Sequence, residues 1–120
     1  MAPPTEKVLQ QRPAVAASVD LFLGMNQTEK RRAIELEAMK RNHQIASWRY
    51  EAVTLKLAND CRYTPDFLVI NLLGQMTFEE VKGHWRDDAR VKIRVAAAKF
   101  PEFAFVALRL EKGQWCMEVF

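Results

Sequence analysis

Apolar and polar residues change their spacing along the chain, and each spacing predicts a different element. From Asn26 to about Arg41, NQTEKRRAIELEAMKR combines strong helix formers with an Asn that can cap a helix, and it contains no Pro or Gly. This composition predicts a helix. Further on, Val53, Leu55 and Leu57 alternate with polar residues. Such alternation, close to aromatic and β-branched residues, predicts strands.

The middle of the chain predicts a β-hairpin. CRYTPDFLVI (residues 61–70) reads as one strand and MTFEEVK (76–82) as the next. Gly74 lies in the short connection between them, where it can adopt a positive φ.

The last third of the chain predicts a second helix and two closing strands. The Ala-rich stretch begins at Asp87 or Asp88, which can cap a helix, and it ends at Pro101. Its residues Val91 and Val95 form an apolar stripe that can pack on a sheet. FAFVALRL and QWCMEVF follow as strands. Helices alternating with strands in this order predict an α/β fold with a central mixed β-sheet flanked by α-helices.

The length and composition limit the class of protein. A chain of 120 residues forms one domain, which we place at 25–120. Residues 1–24 contain three prolines, and we expect an arm that is flexible or dimer-forming, with a short helix from Ala14 to Leu23. The absence of a C-x-x-C pair, a signal sequence and an apolar run of about 20 residues predicts a cytoplasmic protein without a membrane segment.

Three charged residues interrupt the predicted hairpin. Glu80 and Lys82 are two residues apart in one strand, so their side chains share a face while Val81 points to the other. If Asp66 on the neighbouring strand lies at the same level, two carboxylates and an ammonium group converge. Carboxylate oxygens are the ligands that Mg²⁺ prefers. The pattern therefore indicates metal-assisted hydrolysis of a phosphodiester.

These residues also carry a family resemblance. Pro65-Asp66 followed by Glu80-Val81-Lys82 has the form P-D…(D/E)-x-K and resembles the restriction-endonuclease-like nuclease superfamily. YTPDFLV followed by EVKGHWRDDARVKIRVAAAKFP is similar to the small phage and prophage nucleases related to the junction-resolving endonuclease I, from Asn26 to about Leu108. The resemblance implies a restriction-endonuclease-like core.

The resemblance also implies a set of site residues. Asp66, Glu80 and the backbone carbonyl of Val81 would hold one Mg²⁺, or Mn²⁺ in its place. Glu29 of the first helix would hold a second ion together with Asp66, and Lys82 would assist the attacking water. Helical spacing supports the position of Glu29, since it falls on one stripe with other residues that face the sheet.

Each of these residues also has a simpler interpretation. Glu29 lies three residues after Asn26 and can close a capping box. Asp66 can be a turn or edge-strand residue, and Glu80 with Lys82 can be an exposed salt bridge that adds little stability.

Basic residues cluster around the predicted site and suit contacts with phosphate. The candidate DNA-binding residues are Lys30, Arg31, Arg32, His84, Arg86, Arg90, Lys92 and Arg94. An ordinary solvated helix face would account for the same charges.

The function expected from site and resemblance is a metal-dependent DNA endonuclease, selective for DNA structure, that resolves four-way junctions or nicks DNA in phage or prophage recombination or DNA processing, inside a bacterial host cell. Paired cuts in a symmetric junction require a homodimer, and in the similar nucleases the two chains exchange elements. The alternatives are a non-specific or restriction-like nuclease, a nuclease that acts on RNA, and a nucleic-acid-binding module on the same fold that does not cleave.

Overall fold

The computed structural model describes residues 20–84 and 87–120, which form two helices and seven strands. In chain order the elements are α1 (Gln27–Arg41), β1 (Ser47–Tyr50), β2 (Leu55–Ala58), β3 (Cys61–Tyr63), β4 (Phe67–Ile70), β5 (Met76–Lys82), α2 (Asp87–Lys99), β6 (Ala104–Glu111) and β7 (Gln114–Val119). The predicted α/β class with a mixed central sheet and helices is confirmed.

Five of the strands form the central sheet in the order β1-β4-β5-β6-β7. β5 and β6 are parallel and are joined through α2, whereas the other neighbouring pairs are antiparallel. A parallel pair needs a long crossover, which α2 provides. Among the described strands, β2 and β3 pair only with each other and form a separate two-stranded ribbon.

Two apolar cores cover the two faces of the central sheet. On one face, Ala33 and Leu36 of α1 pack with Phe67, Val81 and Leu108. The other face packs against α2 and the β2–β3 ribbon. Alternate residues of one strand enter different cores, as the period of two in a strand requires. The end of β5 therefore lies between α1 on one side and α2 with the ribbon on the other.

Local sequence signals give two elements correctly. The first helix begins after Asn26, whose side chain accepts the backbone N–H of Glu29, and it ends at Arg41. β4 and β5 form the predicted antiparallel hairpin, and Gly74 in its turn has a φ of 84°. In both places a single residue type meets a specific backbone requirement.

Two local predictions are wrong. Residues 61–70 form two strands in different sheets, because Pro65 has no N–H to donate to a ladder and separates β3 from β4. Val91 and Val95 do not face the sheet and are 56% and 43% exposed. Ile93, which is 1% exposed, lies on the buried face of α2 instead.

The predicted N-terminal arm lies largely outside the described residues, since the structure describes none of residues 1–19. Of the predicted helix from Ala14 to Leu23, the described part is a turn, in which the N–H of Leu23 donates to the carbonyl of Asp20. Neither of the two described helices is long and apolar enough to cross a membrane.

Candidate metal and nucleic-acid site

Asp66 and Glu80 lie opposite each other where β4 begins and β5 ends. The antiparallel register pairs Phe67 with Glu79, which brings the preceding Asp66 level with Glu80. The N–H of Val81 donates to Asp66 Oδ2 at 2.8 Å. The backbone of Asp66 is also fixed, because its carbonyl accepts the N–H of Glu51. Strand pairing thus places the two predicted carboxylates side by side.

Glu80 is held by two donors. Tyr63 donates its hydroxyl to Glu80 Oε1 at 2.9 Å, and Lys82 Nζ lies 3.2 Å from Glu80 Oε2. The Glu80 side chain is 9% exposed and the Lys82 side chain 38%. The interpretation of these two residues as an exposed surface pair is therefore wrong for Glu80. Val81 points to the opposite face and packs under α1, as the strand alternation predicts.

Glu29 closes a capping box at the start of α1 and is buried. Its Oε1 accepts the N–H of Asn26 at 2.9 Å, and it also accepts the hydroxyl of Tyr50 at 3.2 Å. The capping interpretation is confirmed. The first turn of α1 also lies beside the end of β5, since a Cβ placed on Gly83 would be 3.6 Å from Thr28 Oγ1.

The charges of the site act on one another. Burial, followed by the charge of Glu80, raises the pKa of Asp66 to about 8, and Glu29 contributes in the same direction. Burial alone would lower the pKa of Lys82, but the ion pair with Glu80 and the charges of Asp66 and Glu29 together outweigh burial and raise that pKa. Burial and the charge of Glu80 also raise the pKa of Tyr63. Lys82 is thus an ammonium group at neutral pH, and negative charge exceeds positive charge around Asp66.

The donor set fits a hard divalent cation in its chemistry. Asp66 and Glu80 present carboxylate oxygens, which Mg²⁺ and Mn²⁺ accept as ligands. A bound cation would offset the charge of Glu80, which after burial is the largest cause of the raised pKa of Asp66. Within the described part of the chain, no three His, Cys, Asp or Glu side chains converge closely enough to form a metal-binding group. The carboxylates of Asp66 and Glu80, with their protein donors, are the pair that suits such an ion.

The first basic segment is only partly directed to solvent. Arg32 donates from Nε and Nη2 to both carboxylate oxygens of Glu79 at 2.8 Å, with only 13% of its side chain exposed. It therefore fixes α1 to β5, which differs from the exposed position expected of a phosphate contact. Arg31 donates to the carbonyl of Gly113 at 2.6 Å, and Lys30 is half-buried.

The second basic segment is more exposed. Lys92 and Arg94 of α2 are exposed, as is His84 just after β5. Arg90 forms a salt bridge with Glu118 of β7 at 3.1 Å. Arg86 lies outside the described residues. Of the predicted DNA-binding residues described here, Lys92 is the one that lines a hollow beside Glu80 and Lys82.

That hollow has a volume of about 330 Å³ and lies between β3 and the first turns of α2. Its lining includes Arg62, Tyr63, Glu80, Lys82 and Lys92. A larger hollow of about 560 Å³ lies at the opposite end of β5, and its lining includes a single titratable residue, Glu102. Chemistry rather than volume therefore identifies the smaller hollow as the candidate site.

Four residues that support the site were not predicted: Tyr50, Arg62, Tyr63 and Glu79. The alternation of side chains along β3 directs Tyr63 to the buried face, so its contact there could have been predicted from the sequence. Glu79 lies on the Val81 face of β5, so the same alternation would have placed its carboxylate under α1. The pairing of Glu79 with Arg32 spans 47 positions of the sequence and leaves no local signal.

Comparisons of the chain with protein-family models, with curated proteins and with solved structures found no match.

Proposed function

We propose that the protein is a metal-dependent endonuclease that hydrolyses phosphodiester bonds in DNA, with a preference for branched or nicked duplexes. The observation that carries the proposal is the placement of Asp66 beside Glu80, with Lys82 paired to Glu80 at 3.2 Å. The order of these residues in the chain is the one on which the resemblance to restriction-endonuclease-like nucleases rests. The mixed sheet with a helical crossover between β5 and β6 is compatible with that core.

The resemblance implies a metal role for each acidic residue of the site, and the surroundings of Lys82 support its role. Asp66 and Glu80, with the carbonyl of Val81, would hold one Mg²⁺ or Mn²⁺, and Glu29 with Asp66 would take part in holding a second. When bound, such an ion polarises a phosphoryl oxygen and lowers the pKa of a coordinated water. Lys82 keeps its proton, so it supplies positive charge near the negative charge that develops on the phosphate, and it does not act as a base.

The neighbouring tyrosines orient the carboxylates. Tyr63 keeps its proton, because burial and Glu80 raise its pKa, and it donates to Glu80 Oε1. Tyr50 donates in the same way to Glu29 Oε1. Each hydroxyl donates to one oxygen of its carboxylate and leaves the second oxygen to other contacts. The hydrogen bond restricts the rotation of the acid without neutralising its charge.

A cleavage assay tests this proposal. Four-way junction, flap, nicked and linear DNA are incubated with the protein in Mg²⁺ or in EDTA, with Asp66→Asn and Lys82→Ala as variants and Lys40→Gln as the control. Lys40 is an exposed residue in the last turn of α1, at the end of the helix away from Glu29. We expect cutting that requires the metal and a loss of about 100-fold or more in both site variants, the size typical of a lost charge-stabilising group.

The outcomes separate the related activities. Faster cutting of the junction than of linear duplex supports structure selectivity, and equal rates would indicate a non-specific or restriction-like nuclease. RNA duplex, used as a further substrate, distinguishes a ribonuclease. Paired cuts in the junction require two sites, so a homodimer is expected by light scattering, whether or not its chains exchange elements. Undiminished cutting by both site variants, or no metal-dependent cutting of any substrate, would overturn the mechanism.

A second candidate is a nucleic-acid-binding module that does not cleave. It is favoured by one observation, that both oxygens of Glu80 already have protein donors, Tyr63 and Lys82. A carboxylate held in this way also suits a purely structural role. Binding of junction DNA with equal affinity in Mg²⁺ and EDTA, without cutting in either, would support this candidate.

A further inference from the structure

The β2–β3 ribbon has one apolar face and one basic face. Leu55, Leu57 and Tyr63 are buried against α2, whereas Lys56 and Arg62 are exposed on the other side. Lys99 of α2 donates to the carbonyl of Leu57 at 2.9 Å and fixes the ribbon further. A two-stranded ribbon is marginal by itself, so this packing against α2 holds its basic face in one position.

The two cations of the ribbon are direct cross-strand partners. The register pairs Lys56 with Arg62, and like charges directly opposite each other destabilise a pair of strands. Among the described residues, neither side chain forms a salt bridge with an acid. Fold stability therefore does not account for this pair, whereas an anionic ligand would offset the repulsion.

Arg62 also belongs to the wall of the hollow beside Glu80. Lys92 of α2 and Lys82 of β5 line the same hollow. The lining also includes two acids: Glu80, which contacts Tyr63 and Lys82, and Asp88, whose Oδ1 accepts the N–H of Ala89. The three cations of the lining, contributed by β3, β5 and α2, exceed its two acids by one. Its volume of about 330 Å³ falls at the lower end of the ~300–1,000 Å³ of known ligand pockets.

We infer that this hollow and the basic face of the β2–β3 ribbon together bind the phosphate backbone of a DNA strand, with Arg62 and Lys92 on either side of it and Lys56 extending the contact. The inference rests on the proposed function for the identity of the polyanion. It adds Lys56 and Arg62, which lie outside both basic segments of the sequence, to the DNA-binding surface.

Equilibrium binding tests the inference without cleavage. Fluorescence anisotropy of labelled junction DNA is measured in EDTA over a range of NaCl concentrations, with the full chain and its variants Arg62→Gln, Lys92→Gln and Lys56→Gln. Lys40→Gln is the matched control, since it removes the same charge at the far end of α1. If each residue contacts phosphate, the negative slope of log K against log [NaCl] becomes less steep by about one in each variant. Binding to all DNA structures weakens alike.

Competitors identify the ligand. Unlabelled DNA should displace the label at concentrations where inorganic phosphate and mononucleotides have no effect. Displacement by phosphate or mononucleotides at equal concentration would overturn the assignment of a DNA strand. Variants that lose binding to RNA but keep binding to DNA would overturn it as well. A slope that Arg62→Gln and Lys92→Gln leave unchanged, or that Lys40→Gln lowers equally, would also overturn it. Circular dichroism verifies that each variant is folded.

The result is independent of the cleavage assay. If Asp66→Asn cuts normally but Arg62→Gln lowers the salt slope, the proposed mechanism fails and the backbone site stands. If cutting needs Asp66 and Lys82 while Arg62→Gln and Lys92→Gln bind normally, the endonuclease stands and the backbone site fails.

Discussion

Replacement of Asp66 by Asn tests whether the site carries uncompensated negative charge. Asp66 is half-buried and lies opposite Glu80, and burial together with the charge of Glu80 raises its pKa to about 8. Asn has a similar shape and keeps an oxygen that can accept the N–H of Val81, which now donates to Asp66 at 2.8 Å. It carries no charge. We therefore expect Asp66→Asn to be more stable than the wild type at pH 8 in EDTA.

The sign follows from proton linkage. The pKa of Asp66 is about 8 in the folded chain, whereas an unfolded Asp titrates near ~3.9. Between these values the folded state holds a proton that the unfolded state has released, so stability falls as the pH rises from about 4 to about 8. The pKa differs by about four between the two states, and each pKa unit corresponds to about 1.4 kcal/mol, so the loss of stability has an upper limit of about 6 kcal/mol. Water access and adjustment of the Glu80–Lys82 pair reduce this, and we expect about 1–3 kcal/mol.

Urea denaturation at pH 5, 6, 7 and 8, followed by circular dichroism in EDTA, measures the effect. The matched control is Glu102→Gln, since Glu102 is exposed in the loop after α2 and away from the site. The difference in free energy of unfolding between Asp66→Asn and the wild type should grow with pH. The difference between Glu102→Gln and the wild type should not. A difference that stays constant from pH 5 to pH 8, or a wild type that is the more stable at pH 8, would refute the reasoning.

Mg²⁺ should reduce the stability advantage of Asp66→Asn over the wild type. An ion that binds the folded state alone stabilises it by RT ln(1 + [L]/Kd), so the wild type gains stability as Mg²⁺ is added. Asp66→Asn lacks one of the proposed ligands and should gain less. Equal gains in the two proteins would show that the ion binds elsewhere.

Three further predictions test the fold that positions the site. Glu79→Gln removes the charged partner of the half-buried Arg32, and we expect a loss of about 2–4 kcal/mol in the free energy of unfolding, measured in urea. Ile93→Ala should cost about 2–4 kcal/mol by the same measurement, whereas the exposed Val91→Ala should change stability by less than about 0.5 kcal/mol; equal effects would contradict the orientation of α2. Gly74→Ala, at a φ of 84°, should cost about 1–2 kcal/mol and lower Tm in a thermal scan, and an unchanged Tm would contradict the left-handed turn.

The parts of the structure that depend on neighbouring residues could be predicted from the sequence. Asn26 and Glu29 are three residues apart, and the capping box needs only these two side chains and the local backbone. The opposite directions of Glu80 and Val81 follow from the pleat of a single strand. The class of the fold follows in the same way from the order of such elements.

The parts that depend on distant partners could not be predicted. The Val91 and Val95 stripe of α2 and the stripe through Ile93 both fit a helical period, so the period alone does not select the buried one. Contacts with the ribbon and with β6 select Ile93, and Ala96 packs beside it. Likewise, a run of basic residues in α1 does not reveal that Arg32 pairs with Glu79 in the interior. The break at Pro65 is different, because a proline inside a strand pattern was already a sign against one continuous strand.

Glu29 caps α1 and also acts on the charges of Asp66 and Lys82. Capping and the contact with Tyr50 both use Oε1, and a carboxylate has a second oxygen with its own acceptor positions. The capping bonds fix the carboxylate in the first turn of α1, beside the end of β5. From there its charge helps to raise the pKa of Asp66 and of Lys82. The cap is therefore the means by which a negative charge is held near the other site residues, and removal of Asn26 would disturb that charge as well as the helix.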